Sequence, residues 1–347
     1  MKKNKTITIH DLAEELKVSA STVSRALKEH PSIGKKTIKT VKELAEKRGY
    51  RPNRLAASLR NQQTHTIGVL VPWINRPFIS SLIHGVEEAA RAAGYQVIIT
   101  QSHDNFEDEV DDLKAMFDSR ISGMVVSLAM ETQSYDHFTP FFKNNIPVVF
   151  VDRVPETLEC HKVAIDNYTA GFKATEHLIE QGCRRIAHLS GASHQAIYKE
   201  RLRGYLDALK QHQLPVDESL ILKGILLSAD EAISLTKYLL ELPNPSDGIF
   251  SANDTAAVSA IQYAKSVGVK IPEELAIIGF NNDPISLIIE PQLSTVSHPA
   301  AEMGKIAVRK ALELIESGMV NDFPKNQGIE LETPVIARAS SLKKGLK

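Results

Sequence analysis

Apolar residues near the start of the chain recur at the spacing typical of helices. Between Thr8 and Tyr50 they lie three or four positions apart in three short groups, which predicts three helices. Thr8 can cap the first helix, Pro31 to Gly34 end the second, and Gly49 ends the third. A bundle of about 40 residues has a thin core, so we expect it to be only marginally stable.

The pattern changes at residue 66. Ile67-Gly68-Val69-Leu70-Val71 is a continuous apolar run, as expected for a strand buried on both faces. Further strands are predicted at 96–100, 123–128, 146–151, 185–190, 219–223, 248–251, 275–280, 293–297 and near 327–338. Helices are predicted between them at 79–93, 107–119, 134–144, 168–181, 199–212, 230–241, 254–267 and 300–317. This order predicts an α/β fold of two doubly wound units, each with a parallel sheet and helices on both faces.

Charge separates the same two parts of the chain. The net charge of −1, with 43% hydrophobic and 24% charged residues, is ordinary for a globular protein. Residues 1–63, however, contain 15 Lys and Arg against 6 Asp and Glu, a net charge of +9. Residues 64–347 contain 26 against 36, a net charge of −10. A basic head on an acidic body predicts nucleic-acid binding by the head alone.

Other classes of protein are disfavoured. The charged N-terminus lacks the apolar core of a signal peptide, and no run of about 18 apolar residues predicts a membrane span, so we expect a cytoplasmic protein without a membrane partner. Cys160 and Cys183 are expected to be reduced. We find no nucleophile–base pair and no GxGxxG, GxxxxGKS/T or HExxH motif, so no enzymatic activity, cofactor or metal is expected.

The segment from Ile7 to Leu27 favours a helix-turn-helix. Two helices joined by a tight turn place the second helix in a major groove, where its N-terminal residues reach base edges. Ser19, Thr22 and Ser24 can bond to phosphates, and Arg25 can reach a phosphate or a guanine. The alternative is a solvated helical hairpin with ordinary capping residues.

These residues resemble the headpiece of the lactose-repressor (LacI/GalR) family of bacterial transcription regulators. The similarity continues through the rest of the chain. Thr22-Val23-Ser24-Arg25 and Ala252-Asn253-Asp254, at their proper separation, are highly specific motifs of the family. Other matching residues are Val18-Ser19, Gly49-Tyr50, Pro52-Asn53, Val151-Asp152-Arg153, Arg201 with Gly204-Tyr205, and Gly279-Phe280.

The resemblance implies a domain organisation. It implies a headpiece at 1–52, a hinge helix and linker at 53–64, and an effector-binding and dimerisation domain at 65–347. The last comprises two subdomains of periplasmic-binding-protein type. We expect the first subdomain at about 65–164 and 294–324, and the second at about 165–293 and 325–340.

The resemblance also implies how DNA is bound. In the family, the hinge helix folds when a dimer sits on its palindromic operator, and a leucine wedges a base step of the minor groove. Leu59 matches that leucine, and the alternative is a plain interdomain linker. Helix 79–92 and the segment 283–289 are expected homodimer surfaces. The residues expected to contact double-stranded DNA are Thr8, Ser19, Ala20, Ser21, Thr22, Ser24, Arg25, Asn53, Arg54, Ala56, Ala57 and Leu59.

Two positions of the head depart from the family pattern. Lys17 replaces the usual Gly of the turn, so we expect an ordinary helical-to-extended geometry there. Gly34 replaces the usual Ser or Thr before the third helix, which removes a side-chain cap.

The effector is expected beyond the carboxyl ends of the strands, between the two units. Carboxylates, amides, arginine and aromatic faces suit a hydroxyl-rich ligand such as a sugar. Two departures from the family pattern weaken the sugar interpretation. Asn281 replaces a frequent Asp, and Ile225 lies where many members carry an aromatic residue. The resemblance implies the following effector-binding residues, all of which come after strands: Trp73, Phe78, Asp152, Arg153, Arg201, Asn253, Asp254 and Asn281.

Each of these residues has a structural alternative. Asp152 or Asp254 could cap a helix, Arg201 could form a surface ion pair, and Trp73 could fill a core. The six acidic residues between Asp104 and Asp112 are expected to form a solvated helix start.

The sequence therefore predicts a DNA-binding transcriptional regulator, a repressor, whose operator affinity is controlled by a small-molecule effector, a sugar or sugar derivative. The alternative is a solute-binding protein without a DNA role, which residues 66–340 alone would allow.

Overall fold

The computed structural model describes residues 7–50, 64–191, 196–321 and 328–343. The chain forms two compact units, Met1–Thr64 and His65–Lys347. Within the ranges given, no helix is long and apolar enough to cross a membrane.

Residues 7–50 of the first unit form three helices, as predicted. They are α1 (Ile9–Leu16), α2 (Ala20–Leu27) and α3 (Lys35–Lys47). Leu12, Val23 and Val41, one from each helix, are buried at the centre of its small core. Thr8 caps α1 through a capping box with Asp11.

Lys17 corrects one expectation about the turn. It ends α1 in the left-handed conformation, with φ 52° and ψ 41°, and its N–H bonds to the carbonyl groups of Ala13 and Glu14. The helix end needs a residue of positive φ to satisfy these carbonyls, and this need outweighs the strain of about 1 kcal/mol that a side chain adds there. The expected absence of a side-chain cap at Gly34 is confirmed.

The described part of the second unit forms two six-stranded sheets, which confirms the predicted fold class. The first sheet has the order β11-β5-β4-β3-β1-β2, and all its neighbouring strands are parallel. Its strands are β1 (Thr66–Val71), β2 (Gln96–Gln101), β3 (Gly123–Val126), β4 (Val148–Val151), β5 (His161–Ile165) and β11 (Ile329–Leu331).

The second sheet has the order β12-β10-β9-β8-β6-β7. Its strands are parallel except for β12, which is antiparallel to β10. They are β6 (Ile186–Ser190), β7 (Ile221–Lys223), β8 (Gly248–Ser251), β9 (Ala276–Asn281), β10 (Ser294–Ser297) and β12 (Val335–Ile336).

Helices cover both faces of each sheet, which explains why the central strands are apolar throughout. The described helices of this unit are α4 (Pro77–Ala92), α5 (Phe106–Asp118), α6 (Thr139–Lys143), α7 (Asn167–Glu180), α8 (Ala196–Gln211), α9 (Ala229–Glu241), α10 (Asp254–Ser266), α11 (Ile285–Ile288) and α12 (Ala300–Ser317). Helices α4 and α12 cover one face of the first sheet, and α5 and α6 cover the other. Helices α7 and α8 cover one face of the second sheet, and α9 and α10 cover the other. Short 3₁₀ helices lie at Asp136–Phe138 and Glu218–Leu220.

Two glycines let helices α4 and α12 pack backbone to backbone. A Cβ atom at Gly85 would lie 1.9 Å from the carbonyl oxygen of Ala301, and one at Gly304 would lie 2.3 Å from that of Leu82. Both distances are far below van der Waals contact, so only glycine permits this approach.

The segments near the C-terminus differ from the expected subdomain boundaries. Strand β10, assigned to the first subdomain, pairs with β9 in the second sheet, and the chain crosses to the first sheet only between β10 and α12. Strand β11, assigned to the second subdomain, pairs with β5 in the first sheet. Strands β10 and β11 are four and three residues long, and their sequences contain no signal for which sheet they join. Strand β5 was not predicted, and helix 134–144 is reduced to a 3₁₀ turn and α6.

Candidate functional site

The N-terminus of α2 presents a cluster of hydroxyl groups. The Ser19 Oγ accepts a hydrogen bond from the backbone N–H of Thr22 at 3.1 Å, and it lies 2.8 Å from the hydroxyl oxygens of both Ser21 and Thr22. The other face of α2 is buried through Val23 and Ala26. The hydroxyl cluster therefore lies on a helix end that the small core holds in place.

The described residues expected to contact DNA remain accessible. Thr8, Ser19, Ser21 and Arg25 are exposed, and Ala20, Thr22 and Ser24 are half-buried. The hydroxyl group of Thr8 is engaged with Asp11 in the capping box. The expected hinge contacts lie outside the described residues: Asn53, Arg54, Ala56, Ala57 and Leu59.

A cavity lies between the two sheets of the second unit, beyond the carboxyl ends of β1, β4, β8 and β9. It encloses about 810 Å³, counting the space open to solvent. Seven of the eight expected effector-binding residues line it: Trp73, Phe78, Asp152, Arg153, Arg201, Asn253 and Asn281. Because parallel strands end at the same edge of a sheet, side chains far apart in sequence converge here.

Asp254 is the exception, because its side chain is fully buried and does not line the cavity. Its carboxylate accepts hydrogen bonds from the backbone N–H of Asp283 and from the hydroxyl group of Thr295, both at 2.7 Å. Burial raises the pKa of Asp254 to about 7. Its role is to join α10 to strand β10 and to the segment that follows β9. Asn253, rather than Asp254, caps α10.

Asp104 organises the wall of the cavity formed by the first sheet. Its carboxylate accepts hydrogen bonds from Trp73 Nε1 at 2.9 Å and from the backbone N–H of Met130 at 3.1 Å. It also forms an ion pair with the Arg153 guanidinium group. One buried carboxylate thus fixes both an aromatic ring and a cation that face the cavity. Trp73 is half-buried at the cavity surface and does not fill a core.

Arg201 organises the opposite wall. Its Nε donates to Asn167 Oδ1 at 2.8 Å, its Nη1 donates to the carbonyl oxygen of Ala252 at 2.9 Å, and its Cζ lies 3.6 Å from the centroid of the Phe280 ring. Burial lowers the pKa of Arg201 to about 10. The side chain is buried rather than part of a surface ion pair.

The floor of the cavity contains Asp152 and His298. Asp152 adopts a positive φ of 58°, and burial raises the pKa of its carboxyl group against the opposing effects of Arg153 and Arg201. His298 Nε2 lies 3.8 Å from Asp152 Oδ1. Burial lowers the pKa of His298 well below its usual value, and Arg201 adds to this effect, so the imidazole is neutral at pH 7.

Several lining residues were not predicted, notably Asp104, Tyr198, Asp283 and His298. Asp104 and His298 follow strand ends, as the expected residues do. The acidic run at 104–112 is not wholly solvated, because Asp104 and Glu109 are buried. The Glu109 carboxylate bonds to the backbone N–H of Ala129 at 2.7 Å, and to side chains of Thr132 and His137. Ile225, expected where many family members carry an aromatic residue, does not line the cavity, and its neighbour Leu226 does.

Comparison with known proteins decides the family. Residues 8–53 match the model described as bacterial regulatory proteins, lacI family, and residues 175–341 match a periplasmic binding protein-like domain. Catabolite control protein A of Priestia megaterium is 34% identical over 304 residues, which cover 87% of this chain and 91% of the relative. The chain belongs to the LacI family.

Other members extend the likeness over nearly the whole chain. The ribose operon repressor of Halalkalibacterium halodurans is 31% identical over 339 residues, covering 96% of this chain and 97% of the relative. The structure of a CelR–cellobiose complex is 26% identical with a TM-score of 0.70, covering 96% of this chain and 99% of that chain. A lac repressor dimer bound to operator, at 22% identity, shares the fold with a TM-score of 0.87 over 98% and 100% of the two chains.

This LacI-family chain is a DNA-binding transcriptional regulator with a small-molecule-binding domain. The match over residues 8–53 disfavours a solute-binding protein without a DNA role. The relatives named above are regulators rather than enzymes. Within the part of the chain that the structure describes, no three His, Cys, Asp or Glu side chains are grouped to hold a metal ion. Cys160 and Cys183 are free and buried.

Proposed function

We propose that a sugar or sugar derivative binds between the two sheets and controls the affinity of a homodimeric repressor for palindromic operator DNA. The observation that carries the proposal is the convergence, in one cavity, of polar side chains already fixed by hydrogen bonds from both sheets. Such preorganisation reduces the free energy needed to order the side chains when a ligand binds. The chain acts as a regulator in the cytoplasm and catalyses no reaction.

The charges of the cavity favour an uncharged ligand. The cavity is lined by three cations, Arg76, Arg153 and Arg201, and by three carboxyl groups, Asp104, Asp152 and Asp283. A strongly anionic effector would meet as many acidic groups as basic ones. Donors and acceptors beside the rings of Trp73 and Phe78 suit hydroxyl groups on one edge of a sugar and CH groups on its face. Two similar structures are complexes of their own proteins with cellobiose and with D-xylulofuranose.

For the DNA interface, we propose contacts by the hydroxyl cluster of α2 and by Arg25, with the expected hinge residues contributing in the dimer. The basic head favours phosphate binding that weakens with added salt. Ile285, Leu287 and Ile288 are exposed apolar residues on the segment expected at the dimer interface. Burying them against a second copy would remove that apolar surface from water.

Selection from random duplex DNA tests the DNA role. The full chain should enrich a palindrome, and Arg25→Ala should weaken binding of that duplex by about 10-fold or more, the value of one lost base or phosphate contact. Lys39→Ala is the matched control, because Lys39 is 79% exposed on α3 and belongs to neither predicted contact set. The proposal fails if no palindrome is enriched or if both variants bind as the wild type does.

Titration of the full chain with D-ribose, D-xylose, D-glucose and cellobiose tests the effector class. Trp73 is the single tryptophan of the chain and lines the cavity, so its fluorescence reports on this site. At least one sugar should change the emission, and Asp152→Asn should weaken its binding. Asparagine tolerates the positive φ of this position, so this variant removes the charge with little backbone strain. Emission that no sugar changes would contradict the proposed sugar class.

A further inference from the structure

Lys17 carries a positive charge that the described part of the head does not offset. Its side chain is exposed in the turn between α1 and α2. Glu14 and Glu15 are the nearest acidic residues in sequence, but Glu15 forms an ion pair with Arg48 of α3, at 2.7 Å. Among residues 7–50, no acidic side chain lies within ion-pairing distance of Lys17. Its ammonium group is therefore available for a further contact.

The cations in the middle of α3 differ from Lys17 in this respect. Lys39 Nζ lies 3.9 Å from Glu43 Oε1, one turn further along the helix, and Lys42 pairs with Glu29. These pairs reduce the positive potential on that part of the surface. The potential of the head is therefore stronger at the turn, where the charge of Lys17 is not offset.

The backbone of this position favours a different residue. Lys17 has φ 52° and ψ 41°, and glycine or asparagine adopts this left-handed conformation with less strain than lysine does. A residue held in an unfavourable conformation directs attention to a function of its side chain. Within the fold, a cation at the C-terminal end of α1 interacts favourably with the helix dipole. A contact outside the fold is the other use of this charge.

Lys17 lies next to the hydroxyl cluster at the start of α2. Only Val18 separates it from Ser19, so the Cα atoms of Lys17 and Ser19 are at most about 7 Å apart. The backbone N–H of Val18 bonds to the carbonyl oxygen of Ala13 at 3.0 Å, which holds the turn against the end of α1. The flexible four-carbon stem of lysine spans a comparable distance. A phosphate group bound at the hydroxyl cluster therefore lies within reach of the Lys17 ammonium group.

We propose that Lys17 is a phosphate-binding residue of the DNA interface, which holds the start of α2 against the backbone of the duplex. Phosphate contacts fix the orientation of a protein on DNA and carry no sequence information. Lys17 therefore strengthens binding to the operator and to unrelated DNA by the same factor. This inference rests on the proposed contact of α2 with DNA, and it adds a sequence-independent contact at the turn.

The salt dependence of binding tests this contact, because it counts the phosphate groups that a protein neutralises. The affinity of the full chain is measured by fluorescence anisotropy over a range of KCl concentrations. The probes are the palindrome selected from random DNA and an unrelated duplex of equal length. Each neutralised phosphate contributes about 0.9 to the slope of log K against log salt, so Lys17→Gln in both copies of a homodimer should make the slope shallower by about 1.8. At 0.1 M KCl, both duplexes should bind more weakly by the same factor, about 10-fold or more.

Three other variants separate the charge from the backbone. Lys17→Arg keeps the charge and should keep the wild-type slope. Lys39→Gln is the matched control, since Lys39 is 79% exposed and already paired, and its slope should equal that of the wild type. Lys17→Gly lacks the charge but suits the positive φ, so it should bind as weakly as Lys17→Gln. A residue that served only to end α1 would instead allow Lys17→Gly to bind as the wild type does.

Four results overturn the inference: an unchanged slope in Lys17→Gln, an equal change in Lys39→Gln, wild-type affinity in Lys17→Gly, or a loss confined to the palindrome. If the wild-type chain binds neither duplex, the DNA role of the head fails instead. The two failures are therefore distinguishable.

Discussion

Asp104→Asn is the change that most directly perturbs the preorganised cavity wall. The Asp104 carboxylate accepts from Trp73 Nε1 and from the Met130 N–H, and it pairs with Arg153. Asparagine has the same shape but only one acceptor oxygen, so its NH₂ group must face at least one of these donors. It also leaves the Arg153 guanidinium group without its anion.

The magnitude follows from the burial of this pair. The side chains of Arg153 and Asp104 are 14% and 10% exposed. Removal of one partner from a buried pair costs about 3–5 kcal/mol, because the other charge stays buried without compensation. The opening to the cavity gives Arg153 some water, so we expect a loss at the lower end, about 3 kcal/mol of the free energy of unfolding.

Urea unfolding of the full chain, followed by Trp73 fluorescence, measures this loss within the second unit alone. The native emission should also change, because Trp73 Nε1 loses a charged acceptor. Asp111→Asn is the matched control: it makes the same chemical change at an exposed position of α5, the helix that follows Asp104, and should alter stability by less than about 0.5 kcal/mol. A loss below 1 kcal/mol in Asp104→Asn would refute the role assigned to this carboxylate.

Three further substitutions test other parts of the structure. Gly304→Ala should destabilise the second unit by about 1–3 kcal/mol in urea, since the new Cβ would lie 2.3 Å from the Leu82 carbonyl oxygen; an unchanged midpoint contradicts this close packing. Gly34→Ser should raise the thermal stability of the first unit by a few tenths of a kcal/mol through a new cap, as circular dichroism can measure; a decrease would count against it. Burial raises the native pKa of Asp254 to about 7, so its stabilising contribution is present below about pH 4 and is lost as the pH rises to 7. Asp254→Asn should remove this loss. Free energies of unfolding that change with pH in the same way for wild type and variant would contradict it.

The periodic parts of the fold could be predicted from the sequence. Strand β8 and helix α12 begin and end where their apolar patterns begin and end. Their positions are buried, so hydrophobic burial determines both the pattern and the structure. The family resemblance predicted seven cavity residues, including Trp73 and Arg201, and these residues follow strands, where ligands bind in folds of this class.

The remainder depends on contacts between distant residues. Strand β5 alternates between buried and half-buried positions and begins with His161 and Lys162, so its sequence does not resemble the apolar central strands. Asp104 lies in an acidic run that is typical of a solvated helix start, and only its neighbours Trp73 and Arg153, from other strand ends, show that it is buried. Asp254 follows a strand end as the cavity residues do, but Thr295 and Asp283 engage its carboxylate beneath the cavity.

The central claim is that a ligand in the cavity controls DNA binding by the head. It is tested by measuring the affinity of the full chain for the palindromic duplex selected from random DNA. The measurement is made without ligand and with a sugar at the concentration that saturates the change in Trp73 fluorescence. The account predicts a change of at least 10-fold for the wild type, and none at the same sugar concentration for Asp152→Asn, which should bind the duplex normally. Wild-type duplex affinity that stays unchanged at saturating sugar would contradict the account.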